Sequence, residues 1–359
     1  MEEKIIKITA GIIGAMTLVA VASLFYFPEL HIKAEEAAKR RAQAAEERKE
    51  QMNGLQMLQY NTANAKEEEE ASFPQQLRIA VPKEEAADEV KITNDYVTQT
   101  LTIQIPGADE NYLYDYPMVG RSDHIDNLTY EKERENGVIE IVLDSVFEVE
   151  QTVDGQYLYL DFLTPHEVYD KVVVIDAGHG GKDPGAIKQG IYEKDIDLAI
   201  ALEVQKLFEE DEDESIGVYF TRTTDSNPSY ENRVGLANKA EADLFVSIHN
   251  NSTKSGRMSS INGTAVMYDE EKAGETKGSM QFAQICLQEM LSALGSTDKG
   301  LVAGHEIYII RSAAMPVALI EVGFMTNEEE LNNLNDADYR KKAAGGIYQA
   351  IYRALEEGF

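Results

Sequence analysis

The sequence predicts an α/β domain with a mainly parallel sheet flanked by helices, preceded by a small all-β domain, a helical stalk and an N-terminal transmembrane helix. Three observations carry this reading. Residues 8–27 contain no charged side chain, and at a rise of about 1.5 Å per residue such a run spans about 30 Å of hydrocarbon. Between Gln76 and Pro165 the apolar residues recur with period two, as in half-buried strands. After Asp170 apolar runs alternate with stripes of helical period, the pattern of a sheet covered by helices.

The elements follow in order. Residues 1–7 form a short tail whose Lys4 and Lys7 precede the anchor at 8–27. Ala20-Val21-Ala22 resembles a cleavage site, but the apolar run continues through Leu24, Phe25 and Tyr26, so an uncleaved anchor is expected. Lys33, Lys39, Arg40, Arg41, Arg48 and Lys49 follow it; the positive-inside rule alone would keep the bulk of the chain in the cytoplasm. Residues 28–60 are rich in good helix formers with mostly alanine at the apolar positions. They read as a stalk, with weak coiled-coil self-association as its expected partner surface. Residues 61–75, containing KEEEE, read as a solvated acidic linker.

Residues 76–168 read as a β-sandwich-like accessory domain, from QLRIAV, TQTLTIQI, GVIEIVLD and QYLYLDFL separated by Gly, Asn and Asp turns. No catalytic grouping of His, Cys and carboxylate occurs there, so binding or spacing is its expected task. Residues 171–359 form the α/β domain. VVVID, DLFVSIH, TAVMY, EIYII and VALIEV read as strands. Ile196, Ile200, Val204 and Phe208 mark one helix and the 280–294 segment another, with the single cysteine, Cys286, as a buried thiol.

Composition narrows the function. A net charge of -31 repels phosphate backbones and excludes a nucleic-acid partner. One cysteine excludes an internal disulfide and a multi-cysteine zinc site, so any metal must be held by His and carboxylates.

The chemistry centres on VVVIDAGHGG, residues 172–181. A phosphate loop fails because Asp176 stands where the first glycine belongs and Asp183 follows Lys182. A dinucleotide fingerprint fails at Asp183, where a third glycine is required. An esterase oxyanion loop lacks its partner, because the chain contains no G-x-S-x-G. Metal binding remains. His179 follows one strand and His249 ends another, and ligands in open α/β sheets collect outside the carboxyl ends of strands. Glu321 lies inside the apolar run PVALIEVGF, where an unpartnered carboxylate is costly, so a metal-binding or catalytic role is favoured over a structural ion pair. Glu193, where a helix begins, reads equally as a dipole or capping residue.

These residues resemble the zinc-dependent N-acetylmuramoyl-L-alanine amidases of the bacterial cell wall, in their amidase-3 form. The resemblance covers 171–355 and rests on VVVIDAGHGGKDPGA, G-x-x-E-K at 190–194, TRTTD at 221–225, ENRVGLAN with ADLFVSIHNN, and MPVALIEVGFMTN. It implies zinc held by His179, Glu193 and His249, with Glu321 as the catalytic glutamate. Arg222 and Arg233 also match family positions, and structural salt bridges are expected of them. The implied substrate is peptidoglycan, cut between the lactyl group of N-acetylmuramic acid and L-alanine. That substrate lies outside the cytoplasmic membrane, so the resemblance implies a single-pass membrane protein with its catalytic domain extracytoplasmic. Two other classes stand beside it: a zinc hydrolase of another peptide or amide, and an anchored wall-binding scaffold with an inactive domain. Presence of all four site residues disfavours the second.

Overall fold

The structure, a computed structural model, describes residues 39, 52–65, 75–82, 89–211, 213–272 and 274–359. The expected anchor at 8–27 and most of the stalk lie outside them. Among the described residues no helix is long and apolar enough to cross a membrane. The chain divides into two compact units, 1–57 and 58–359.

In the first unit Asn53 and Gln56 exchange main-chain to side-chain hydrogen bonds of 2.9 and 3.1 Å, a reciprocal cap that opens helix α1 (Gly54–Asn64). The linker expected from Asn61 therefore starts as helix. Thr62 Oγ1 donates to Gly120 O at 2.9 Å and accepts from Gly120 N at 3.0 Å, which ties the end of α1 to the accessory domain. The acidic run itself, 66–74, lies outside the described residues.

The accessory domain consists of two four-stranded antiparallel sheets. One has the order β4-β1-β8-β7, with β1 (Leu77–Ala80), β4 (Val119–Gly120), β7 (Glu148–Asp154) and β8 (Tyr157–Leu163). The other has the order β2-β3-β6-β5, with β2 (Lys91–Asp95), β3 (Thr100–Pro106), β5 (Ile125–Glu133) and β6 (Asn136–Leu143). Every second residue of β3 and β8 is buried, as the period of two demands. Leu101, Ile103 and Ile105 from one sheet and Leu158, Leu160 and Phe162 from the other form its interior.

The α/β domain is built on a six-stranded sheet, β12-β9-β13-β16-β14-β15. Its strands are β9 (Lys171–Ala177), β12 (Ile216–Phe220), β13 (Leu244–Asn251), β14 (Thr264–Tyr268), β15 (Asp298–Ala303) and β16 (Val317–Phe324). All neighbours run parallel except β14 against β16. A hairpin of β10 (Ile187–Lys188) and β11 (Ile191–Tyr192) leads into helix α4 (Glu193–Glu209), after the short helices α2 (Tyr112–Asp115) and α3 (Pro165–Val168).

Burial on both sides explains why VVVID does not alternate. Val173, Ile175 and Ala177 pack with α4, α6 (Ser279–Leu294) and α9 (Ala337–Glu356). Val172 and Val174 face the opposite core with Val234 and Leu236 of α5 (Tyr230–Lys239) and Ile309 and Ile310 of α7 (Tyr308–Ser312). Helix α8 (Glu328–Asn335) adds Leu331 and Leu334 to the first core. Cys286 is fully buried on α6, and burial pushes its thiol well above the usual range, so it is inert packing.

Two sequence expectations are corrected here. EIYII is not a strand: Ile307 closes a turn onto Gly304 O and residues 308–312 are helical, with Ile309 and Ile310 in the core. A run of four apolar residues, 307–310, serves a buried helix as well as a strand, and β15 occupies the sheet edge instead. His305 accordingly precedes a helix. Neither β12 nor β15 is among the expected strands: β15 is mostly exposed, carries Gly300 and shows no alternation, whereas β12 is a short strand with alternate burial.

The accessory domain is docked on the second face. Val146 belongs to the core around Val172 and Val174. Ser145 Oγ donates to Lys239 O at 2.7 Å, and Lys239 Nζ donates to Gln99 Oε1 at 2.9 Å.

Candidate metal centre

Strands β9, β13 and β16 are parallel and adjacent, so their carboxyl ends open on one edge. His179 lies just past β9, His249 near the end of β13, and Glu321 beside His249 in register on β16. Glu193 reaches the same edge as the first residue of α4. The ligand atoms of His179, Glu193, Asp197 and His249 all lie within 4.8 Å of one another. All four residues expected from the sequence are thus brought to one edge, and Asp197, one turn along α4, joins them. The sequence signal for Asp197 was its spacing, since residues four apart share a helix face.

Glu193 is the hub. Its Oε1 lies 3.2 Å from His179 Nε2, 3.2 Å from His249 Nδ1 and accepts from Asn250 N at 3.1 Å. Its Oε2 accepts from Ala186 N at 2.7 Å. Burial would raise this carboxyl, but the two imidazoles outweigh it and hold it well below the usual range. For His179 burial works downward, and Glu193 and Asp183 overcome it, raising the imidazole to about 9.

His179 adopts a left-handed backbone conformation, φ 55°, which costs a non-glycine residue about 1–2 kcal/mol. Two contacts hold it there. Asp183 Oδ2 lies 2.9 Å from its Nδ1, which directs Nε2 into the cluster. Arg233 Nη2 donates to His179 O at 2.5 Å. Gly178 makes room for the other imidazole, since a Cβ there would lie 2.4 Å from His249 Cε1.

The TRTTD and ENR motifs build the frame. Arg233, buried on α5, donates to Asp176 Oδ1 at 2.6 Å and Ala177 O at 2.7 Å. Asp176 also accepts from Thr221 Oγ1 and Ser247 Oγ, each at 2.6 Å. Burial opposes ionisation of Asp176, but Arg233 and these hydroxyls keep its carboxyl below the usual range. The salt bridge expected of Arg233 is present. Arg222 differs from its expectation, because it donates to the main-chain carbonyls of Ala177, Gly178, Lys194 and Thr224. Asp225 joins Gly181 N at 2.7 Å to Lys194 Nζ at 2.6 Å.

Three buried side-chain oxygens at this edge have no hydrogen-bond partner: Glu321 Oε2, Asp197 Oδ2 and Asn250 Oδ1. Desolvation, reinforced by Glu193 against the opposing pull of His249 and His179, raises the Glu321 carboxyl to about 7. Desolvation and Glu193 likewise push Asp197 well above the carboxylate range. Two imidazoles and a carboxylate converging beside unsatisfied oxygens fit a zinc ion, which takes N and O ligands in a tetrahedral set with one position open in catalytic sites. Among the described residues no other such group occurs.

The N-acetylmuramoyl-L-alanine amidase family profile matches residues 173–353. The chain is 37% identical over 181 residues to the uncharacterized protein YqiI of Bacillus subtilis, covering 50% of this chain and 83% of that protein. It is 35% identical over 181 residues to the N-acetylmuramoyl-L-alanine amidase LytC of the same organism, covering 50% of this chain and 35% of LytC. Among solved structures, the catalytic domain of the amidase CwlV from Bacillus (Paenibacillus) polymyxa var. colistinus aligns with TM-score 0.47 and 37% identity, over 52% of this chain and 98% of that one.

Proposed function

The chain belongs to the N-acetylmuramoyl-L-alanine amidase family, and we propose that it works with zinc held by His179, Glu193 and His249 and with Glu321 as general base. It is a cell-wall amidase whose substrate is peptidoglycan. The bond cut joins the lactyl carbonyl of N-acetylmuramic acid to the amine of L-alanine. The observation that carries the residue assignment is the meeting of two histidines and Glu193 beside the unpartnered Oε2 of Glu321.

Bound zinc would polarise the scissile carbonyl and lower the pKa of the attacking water. The protein's part is to place and protonate. Asp183 and Arg233 fix the tautomer and backbone of His179. Glu321 Oε2 accepts the proton of the attacking water as its oxygen bonds to the carbonyl carbon. The same oxygen then delivers that proton to the alanine nitrogen as the C–N bond breaks, leaving a lactyl carboxylic acid and a free amine, and the acid's remaining proton passes to the amine to give carboxylate and ammonium. A desolvated carboxyl near neutrality is suited to both transfers.

We place the domain outside the cytoplasmic membrane, tethered through residues 8–27 and serving wall remodelling or cell separation. The test compares wild type with Glu321→Gln and His179→Ala. Glu321→Gln should retain zinc and lose about 10²–10⁴-fold in wall hydrolysis, whereas His179→Ala should lose zinc and hydrolysis together. Cleavage by Glu321→Gln at the wild-type rate refutes the assignment.

A further inference from the structure

We propose that a cleft between the accessory domain and the edge of the catalytic sheet is a second substrate-contacting site, one that binds a segment of uncharged saccharide chain. The cleft measures about 730 Å³, within the range of about 300–1,000 Å³ of small-ligand sites, which favour domain junctions. Its accessory wall is the turn after β2 with Tyr96, and its catalytic wall is β12 with Tyr219 and the segment 221–228. None of its lining residues is a proposed zinc ligand.

The aromatic surface is fixed in place. Tyr96 and Tyr219 meet edge to face at 4.9 Å and 78°. Both phenols donate to Glu148, at 2.8 and 2.5 Å, so neither ring is free to close the cleft. The walls are held together by the buried Val146 and by the Gln99–Lys239–Ser145 contacts. A built, rigid cleft loses little conformational entropy on binding.

Its chemistry selects the ligand class. The acids Asp95 and Glu148 line it, and the single cation among its lining residues, Arg222, is committed to four main-chain carbonyls. Phosphate or carboxylate ligands therefore meet repulsion with no free counter-charge. Thr224, Ser226 and Asn232 are exposed; among the described residues their side chains make no hydrogen bond and so present donors and acceptors to the cleft. The partly exposed Tyr96, held against the buried Tyr219 and set beside hydroxyl and amide groups, suits a sugar, which has apolar C–H faces and a polar rim.

Position links the cleft to the amidase centre. Segment 221–228 forms its wall and also supports the His179 loop, through Asp225 to Gly181 N and through Asn227 Oδ1, which accepts from the Arg233 that holds His179 O. A glycan strand presenting its muramoyl peptide at the zinc edge would continue into the cleft. Identification of the saccharide as wall glycan rests on the amidase reading; the saccharide chemistry of the cleft does not.

The experiment titrates the full chain with chitotetraose, a tetramer of N-acetylglucosamine with no lactyl amide, by calorimetry. Wild type should bind saturably. Thr98→Trp, which projects from the exposed accessory rim into the cleft, should weaken binding at least tenfold while cleaving a soluble muramoyl dipeptide at the wild-type rate. Tyr96→Ala should weaken binding similarly. Absence of wild-type binding, unchanged binding by both variants, or saturable binding of poly(glycerol phosphate) instead would each overturn the proposal. Because chitotetraose has no scissile bond, a protein that binds it but leaves wall uncut refutes the amidase reading alone.

Discussion

Replacing Arg233 with methionine tests whether the buried frame, more than the ligands themselves, holds His179 in its strained conformation. Arg233 is 1% exposed and its partner Asp176 is 0% exposed. Substitution removes the guanidinium bonded to Asp176 Oδ1 and strips a donor from Ala177 O, His179 O, Pro228 O and Asn227 Oδ1. Removing one member of a buried ion pair costs about 3–5 kcal/mol, because the remaining charge is uncompensated. At about 2–4 °C per kcal/mol for a domain of this size, Tm should fall by about 6–20 °C.

The pH dependence gives a second readout. Asp176 in the wild type titrates below its unfolded value, so its contribution to stability is full above about pH 4 and is lost as pH falls through the folded pKa. The penalty of Arg233→Met should therefore be largest at neutral pH and shrink below about pH 4. Adding Asp176→Asn should recover part of it. Chemical denaturation at pH 7 and at about pH 3, below the unfolded aspartate value, measures both. A loss below about 1 kcal/mol at pH 7, or one independent of pH, would refute the reasoning.

Zinc binding should release a proton, because the His179 imidazole raised to about 9 is protonated before the metal arrives. Apparent affinity should fall about tenfold per pH unit below pH 9, and calorimetry in buffers of different ionisation enthalpy counts the proton; a flat affinity between pH 7 and 9 contradicts this. Gly178→Ala should lower zinc affinity with the fold intact, since the added Cβ meets the His249 ring at 2.4 Å and the φ of Gly178 is not positive. Metal competition against a chromophoric chelator reads the loss, and wild-type affinity would show that the ring yields.

Much of the site was legible because strand ends are legible. VVVID and DLFVSIH are apolar runs that stop where His179 and His249 begin to matter, and parallel strands put their carboxyl ends together. Glu321 was visible as a carboxylate inside PVALIEVGF, where burial demands a reason. Glu193 was ambiguous from spacing alone, because a glutamate at the first position of a helix is equally a dipole partner. The EIYII segment differs from its expectation, since four apolar residues fit a short buried helix as well as a strand.

By itself the sequence determined the order of the β and α/β domains, the family and the four residues that the fold gathers at one sheet edge, because each rests on local pattern or on ordered motifs. Only the tertiary structure decided what those motifs do. Asp176, Arg233, Thr221 and Ser247 lie far apart in the chain yet share one buried charge. Asp197 and Asp183 meet the cluster through a helix face and a tight loop. The cleft exists only because two domains are docked on one core. Hydrogen bonds and Coulomb forces act through space over a few ångströms, and the fold alone sets which residues lie within that reach.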